Sequence, residues 1–165
     1  MSAAAPADGA RPAEKKPVKS PRRRAREFVM QGLYQWRVGG GDEAAIEANL
    51  ADNEGFDKCD RRFFAELLRG VLARHEDLRG RLQTHLDRPF AELSPVEAGI
   101  LLTGAYELAH CPQTPYRVVI NEAIELAKRF GGADGHKYVN GVLDKLAMET
   151  RPAEVGAGRA WRNAS

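Results

Sequence analysis

The chain has 165 residues, 43% of them hydrophobic and 29% charged, the balance of one globular domain long enough to bury a core. No run approaches 18 consecutive apolar residues and no apolar h-region follows the N-terminus, so neither a membrane span nor a secretory signal is expected and the setting is expected to be cytoplasmic. The net charge of +2 conceals an asymmetry: residues 1–26 hold eight basic side chains against Asp8 and Glu14, and the remainder is net acidic, a pattern that points to nucleic acid or another acidic partner.

Residues 1–19, rich in Ala, Pro and Lys, read as a disordered basic arm. A helical domain is predicted over residues 20–150. Its first helix runs from about Ser20 to Val38, with Ser20 as N-cap, Pro21 at the first helical position, and Ala25, Phe28, Val29, Leu33 and Trp36 on one apolar stripe. Gly39-Gly40-Gly41 stops it. A short helix from Asp42 to Asn53 carries Ile46 and Leu50 one turn apart. A third, Asp57 to Arg74, places Phe63, Phe64, Leu67, Leu68, Val71 and Leu72 on a broad core face, and His75 to Leu86 follows with Leu78, Leu82 and Leu86. Pro89 ends that segment. Ser94-Pro95-Val96-Glu97 reads as a capping box opening an apolar helix to Ala109. Pro115 starts another helix, closed by Gly131-Gly132, and Asp134 is expected to cap a last one bearing Val139, Val142, Leu143 and Leu146. Residues 151–165, opening on Arg151-Pro152 and holding two glycines, read as a disordered tail. Strand-like alternation is missing, and the short connections favour an all-α, antiparallel assembly.

Two constellations invite a functional reading. Arg22, Arg23, Arg24 and Arg26 occupy the first two turns of the first helix, where each cation opposes the macrodipole by about 0.3–1 kcal/mol. A local rule broken without visible compensation marks a candidate site, and arginine forks suit phosphate; a merely solvated basic face is the plainer alternative. Around the glycine turn, Phe130, Lys137 and Tyr138 offer the aromatic and cationic surface that single-stranded bases stack on. Asn121 and Asn140 are expected to hydrogen-bond where two helices pack closely, with Gly141 permitting the approach. No phosphate loop is present, Glu122 and Glu125 lack any sign of a catalytic cleft, and Cys59, Cys111 and the four histidines show no chelating spacing. Neither enzyme activity, a cofactor nor a metal is expected.

The segments RRRAREFVMQGLYQW (Arg22–Trp36) and YELAHCPQTPYRVVINEAIELAKRFGGADGHKYVNGVLDKLA (Tyr106–Ala147) together resemble the bacterial transcription antitermination factor NusB family, in order and at matching helix spacing from about Ser20 to Thr150. The resemblance implies seven helices in two antiparallel three-helix bundles, with the second helix linking them. It implies binding of a short single-stranded RNA, boxA, together with the ribosomal protein NusE, inside an RNA polymerase antitermination complex with other Nus factors, chiefly during ribosomal RNA synthesis. It further implies RNA contacts from Arg22, Arg23, Arg24, Arg26, Gln31, Arg88, Asp134, Lys137 and Tyr138, and a NusE-facing role for Tyr34 and Glu97. His85 stands where relatives carry a tyrosine, which puts stacking there in doubt. Relatives occur as monomers and as homodimers, so a homodimer is left open. An alternative is a stand-alone RNA-binding module related to the N-terminal domain of a ribosomal RNA methyltransferase.

Overall fold

The computed structural model describes residues 19–164, so the expected disordered arm lies almost wholly outside the described residues. Among the described residues there are seven α-helices and no strand: α1 (Pro21–Gly39), α2 (Glu43–Ala51), α3 (Arg61–Gln83), α4 (Pro95–His110), α5 (Tyr116–Phe130), α6 (Gly135–Thr150) and α7 (Pro152–Ala164). None is long and apolar enough to cross a membrane.

Helix starts follow local side-chain chemistry. Ser20 accepts the Arg23 N–H at 3.0 Å, Asp42 that of Ala45 at 2.9 Å, and Ser94 that of Glu97 at 3.1 Å. The third helix begins at Arg61 rather than Asp57, because Phe56–Lys58 form a separate 3-10 turn and Asp60 accepts the Phe63 N–H at 2.9 Å. The boundary expected between Arg74 and His75 falls at a kink. Arg74 has non-helical φ −124° and ψ 16°, and the two helical stretches on either side of it bury Phe63, Phe64, Leu67, Leu68 and Val71 and then Leu78 and Leu82. Asp134 holds the N-cap position of α6 through its carbonyl, but its side chain caps nothing.

The central element is α4, buried on every side from Ala98 to Leu108. It runs antiparallel to α1, since Glu107 meets Arg26 while Gly99 lies against Leu33. It lies parallel to α6, with Glu97 beside Gly135 and Gly104 against Leu143. One three-helix group is α1, α3 and α4, the other α4, α5 and α6, and α2 joins α1 to α3. Close approach sets two positions: a Cβ on Gly70 would fall inside the Tyr106 ring, and one on Gly104 would lie 2.8 Å from Leu143 Cδ1.

Against the disorder expected over residues 151–165, Pro152–Ala164 form α7, and Ser165 lies outside the described residues. Arg151 is buried, and Pro152 is the first residue of α7 rather than a terminator. The Arg151 guanidinium donates to the carbonyls of Glu107 (2.9 Å), Leu108 (2.9 Å), Cys111 (2.8 Å) and Thr114, closing the C-terminal end of α4. It also pairs with Glu154 at 3.0 Å, whose other oxygen accepts the Tyr116 N–H at 2.8 Å and so serves the start of α5. Replacing Arg151 by methionine strands these acceptors, and is expected to lower stability by about 3 kcal/mol or more in urea denaturation; an unchanged midpoint would show that the cap is dispensable.

Candidate nucleic-acid interface

The four arginines of the first helix do not form one patch. Arg26 is only 4% exposed. Its Nε and Nη2 donate to the two Glu107 carboxylate oxygens at 2.9 and 2.8 Å, Glu122 lies 3.9 Å away, and the Phe63 ring is 4.9 Å from its Cζ. Burial works against this charge, and the Glu107 hydrogen bonds and negative charge overcome it, leaving the guanidinium above its ordinary pKa. Arg26 as a phosphate contact is therefore corrected: its donors are spent inside the core. The other three remain at the surface. Arg22 is exposed, its Cζ 4.1 Å over Phe63 and its Nε 3.9 Å from Asp60. Half-buried Arg23 forks onto Glu122 at 3.0 and 2.8 Å, hydrogen bonds that raise its pKa. Arg24 lies beside Gly55, whose φ of +89° and lack of Cβ leave room for the guanidinium.

A seam between α1 and α5 runs from Arg23 and Glu122 to Tyr34 and Phe130. Lys19 and Arg129 both meet Glu27, at 3.0 and 3.4 Å, around a small cavity of about 110 Å³ shared with Arg23 and Glu122. Farther along, Met30, Gln31, Tyr34, Val96 and Phe130 line a groove of about 310 Å³, with Tyr34 45% exposed. The structure thus brings Gln31, expected on the RNA, together with Tyr34, expected on NusE. Glu97 lies next to this groove. Its carboxylate takes the Ser94 hydroxyl at 3.3 Å and sits beside Gly135 at the positive N-terminal end of α6.

The remaining expected residues gather where the α3–α4 loop meets α6. Arg88 pairs with Asp87 at 2.7 Å and lies 4.9 Å over the Tyr138 ring, while the Tyr138 hydroxyl donates to Asp87 at 3.0 Å. The Arg88 and Tyr138 hydrogen bonds hold the Asp87 carboxyl below the usual carboxylate range. Asp134 and Lys137 are both exposed and 3.7 Å apart. His85 is mostly buried with Nε2 2.7 Å from Glu149, which removes it from base stacking. Asn121 is exposed rather than packed, and nothing lies within 4 Å of a Cβ on Gly141, so the close helix approach expected there is overturned.

Sequence reasoning missed Asp87, Glu107 and the pairing role of Glu122. Glu107 did leave a signal, as the one charge between Ala98 and Leu108 of an otherwise apolar helix. Nothing in the arrangement activates a nucleophile: burial first, then the charges of Glu107 and Glu66, push the Cys111 thiol up to about 12, and burial also raises Cys59.

The sequence profile of the NusB family matches residues 23–148. The chain is 65% identical over 143 residues to the transcription antitermination protein NusB of Dechloromonas aromatica, covering 87% of this chain and 88% of that protein. It is 55% identical over 152 residues to the protein of that name from Ralstonia pickettii, covering 92% and 98%. Among solved structures, T. maritima NusB superposes with a TM-score of 0.73 at 29% identity, over 84% of this chain and 99% of that one. A crystal structure of antitermination factors NusB and NusE in complex with dsRNA shares the fold at a TM-score of 0.70 and 21% identity, over 78% and 97%.

The split of the arginine run has a direct consequence for stability. Arg26→Ala leaves Glu107 buried and uncompensated, with an expected loss of about 3–5 kcal/mol in urea denaturation, whereas Arg22→Ala and Arg24→Ala are expected to stay within about 1 kcal/mol. Equal losses at all of these positions would mean that the run acts as a single surface patch.

Proposed function

Because the chain belongs to the NusB family, we propose that it acts in transcription antitermination by binding boxA, a short single-stranded RNA, jointly with NusE, within an RNA polymerase complex that includes other Nus factors and serves chiefly ribosomal RNA synthesis. The observation that carries this reading is the α1–α5 seam. It begins at Arg23, with Arg22 and Arg24 turned to either side of it, passes Gln31, Tyr34 and Phe130, and ends where the turn into α6 presents Asp134, Lys137 and Tyr138 beside Arg88. Arg23 and Tyr34 are eleven residues apart on one helix, so this part of the seam spans about 16 Å.

Each part of the seam has a distinct task. Arg22, Arg23, Arg24 and Arg88 neutralise backbone phosphates and release counterions. The Tyr138 ring, braced by Asp87 and flanked by Arg88, supplies a stacking face for a base. The groove around Tyr34, with its apolar floor of Met30, Val96 and Phe130, suits the protein partner better than RNA, and Glu97 sits at its edge. RNA and NusE would then occupy adjoining stretches, and Gln31 stands at the junction.

This reading is tested by fluorescence anisotropy of labelled boxA RNA against a scrambled RNA of equal length, with and without purified NusE. Preferential boxA binding that tightens with NusE is expected. With about four phosphates neutralised, log affinity should fall with log salt at a slope of about −3, and Arg22→Ala, Arg23→Ala and Arg24→Ala should each flatten it by about 0.7. Equal binding of both RNAs, indifferent to NusE, would leave only a basic helical module.

A further inference from the structure

Two residues beyond Arg88, a cavity of about 420 Å³ opens between the end of α1, the part of α3 after its kink, and the Phe90–Glu92 turn. Its walls are Trp36, Arg37, His75, Arg79 and Phe90, and no carboxylate is among its lining residues. Phe90 is 3% exposed, and two guanidiniums share its ring, Arg37 with Cζ 5.1 Å and Arg79 with Cζ 4.8 Å from the centroid. The two cations therefore lie within about 10 Å of each other.

Four arginines packed against the rest of the fold are answered by acid: Arg23 by Glu122, Arg26 by Glu107, Arg129 by Glu27, Arg151 by Glu154. Among the described residues, Arg37 and Arg79 have no carboxylate within 4.0 Å, and Arg37 has only the Phe90 carbonyl, at 3.5 Å. Burial, and then the charge of Arg79, lower the Arg37 pKa from its ordinary value. His75 stands edge-on to Trp36, with ring centroids 4.8 Å apart, and its buried Nδ1 has no hydrogen-bond partner. Half-buried Arg37 and exposed Arg79, both unanswered and beside an indole at an open cavity, form an arrangement that suits a nucleotide. The forks take phosphate oxygens and the indole takes a base.

The cavity also continues the surface already described. Gln83 ties the two together, donating to the Arg88 carbonyl at 3.0 Å while its amide oxygen accepts the Phe90 N–H at 2.9 Å. Arg88 and the cavity wall at Phe90 are thus two residues apart, at most about 7 Å of polypeptide. We propose that this cavity is a nucleotide subsite, in which Arg37 and Arg79 hold a phosphate and Trp36 a base of RNA flanking the element bound along the α1–α5 seam. The proposal rests on the RNA-binding reading above. An acidic peptide is the competing occupant, and the indole wall together with the link to Arg88 favours RNA.

The test uses the full chain with NusE and three labelled RNAs: the boxA element alone, and the element extended by three nucleotides on its 5′ or its 3′ side. One extension is expected to tighten binding by at least about fivefold, the lower end for stacking one base. The double variant Arg37→Gln/Arg79→Gln should abolish that gain and bind the bare element as the unaltered protein does. Circular dichroism checks its fold, and the single variant Arg79→Gln, at an exposed position, gives the same readout should the double variant unfold. If neither extension tightens binding, or if the gain survives in the variants, the subsite is overturned and the seam stands. If the bare element itself is not bound selectively, the RNA reading falls and the subsite with it. Hexaglutamate cancelling the extension gain while sparing the bare element would make the cavity a protein-binding site and also overturn the proposal.

Discussion

Glu107 lies in the last turn of α4, the helix shared by both three-helix groups, and it is 2% exposed. A carboxylate there faces both the negative end of the helix dipole and the cost of leaving water. Arg26 has the mirror-image difficulty near the start of α1, where a cation meets the positive end. Antiparallel packing of α1 on α4 puts the two misplaced charges together in a two-pronged hydrogen bond at 2.8 and 2.9 Å. Such a pair is satisfied only in one rotation and one register of α1. Arg151 completes the arrangement, its guanidinium covering the carbonyls that α4 leaves open at the same end. Buried ion pairs add little over apolar packing, yet removing one partner is severe, so this junction constrains the structure more than it stabilises it.

The same constraint distributes the surface charge. With Arg26 turned inward, Arg22 lies one turn earlier on the same face, and both guanidiniums lie over Phe63, but only Arg22 clears the core. Arg23 is rotated toward α5 and Glu122, and Arg24 toward the turn at Gly55. The positive charge at the start of α1 is fanned over three directions instead of stacked on one. Arg22 is held over Phe63 and Arg23 on Glu122.

Carboxylates recur beside the cations of the seam: Glu122 at Arg23, Glu27 at Lys19 and Arg129, Asp87 at Arg88. They orient the forks and partly cancel their field. A surface built this way attracts polyanions less strongly at long range than bare arginines would, and leaves more of the discrimination to short-range geometry. That balance suits a protein proposed to pick one RNA element with the help of a second protein. Arg37 and Arg79 depart from the pattern, which is why their cavity stands out.

Helix boundaries were largely legible in the sequence because they are decided by neighbours within four residues. Ser20, Asp42 and Ser94 cap their own helices, Pro21 and Pro95 start them, and Gly39-Gly40-Gly41 and Gly131-Gly132 stop them. The apolar stripes, and with them the all-α class and the family resemblance, belong to the same local information. The fate of Arg26 did not. It depends on Glu107, 81 residues away, as that of Arg23 depends on Glu122 at 99 residues and the ordering of α7 on carbonyls more than 35 residues before Arg151. Four consecutive-looking cations are identical to any rule that reads spacing and propensity. Which of them is a core residue and which faces solvent is settled only when a distant carboxylate is carried to it by the packing of another helix.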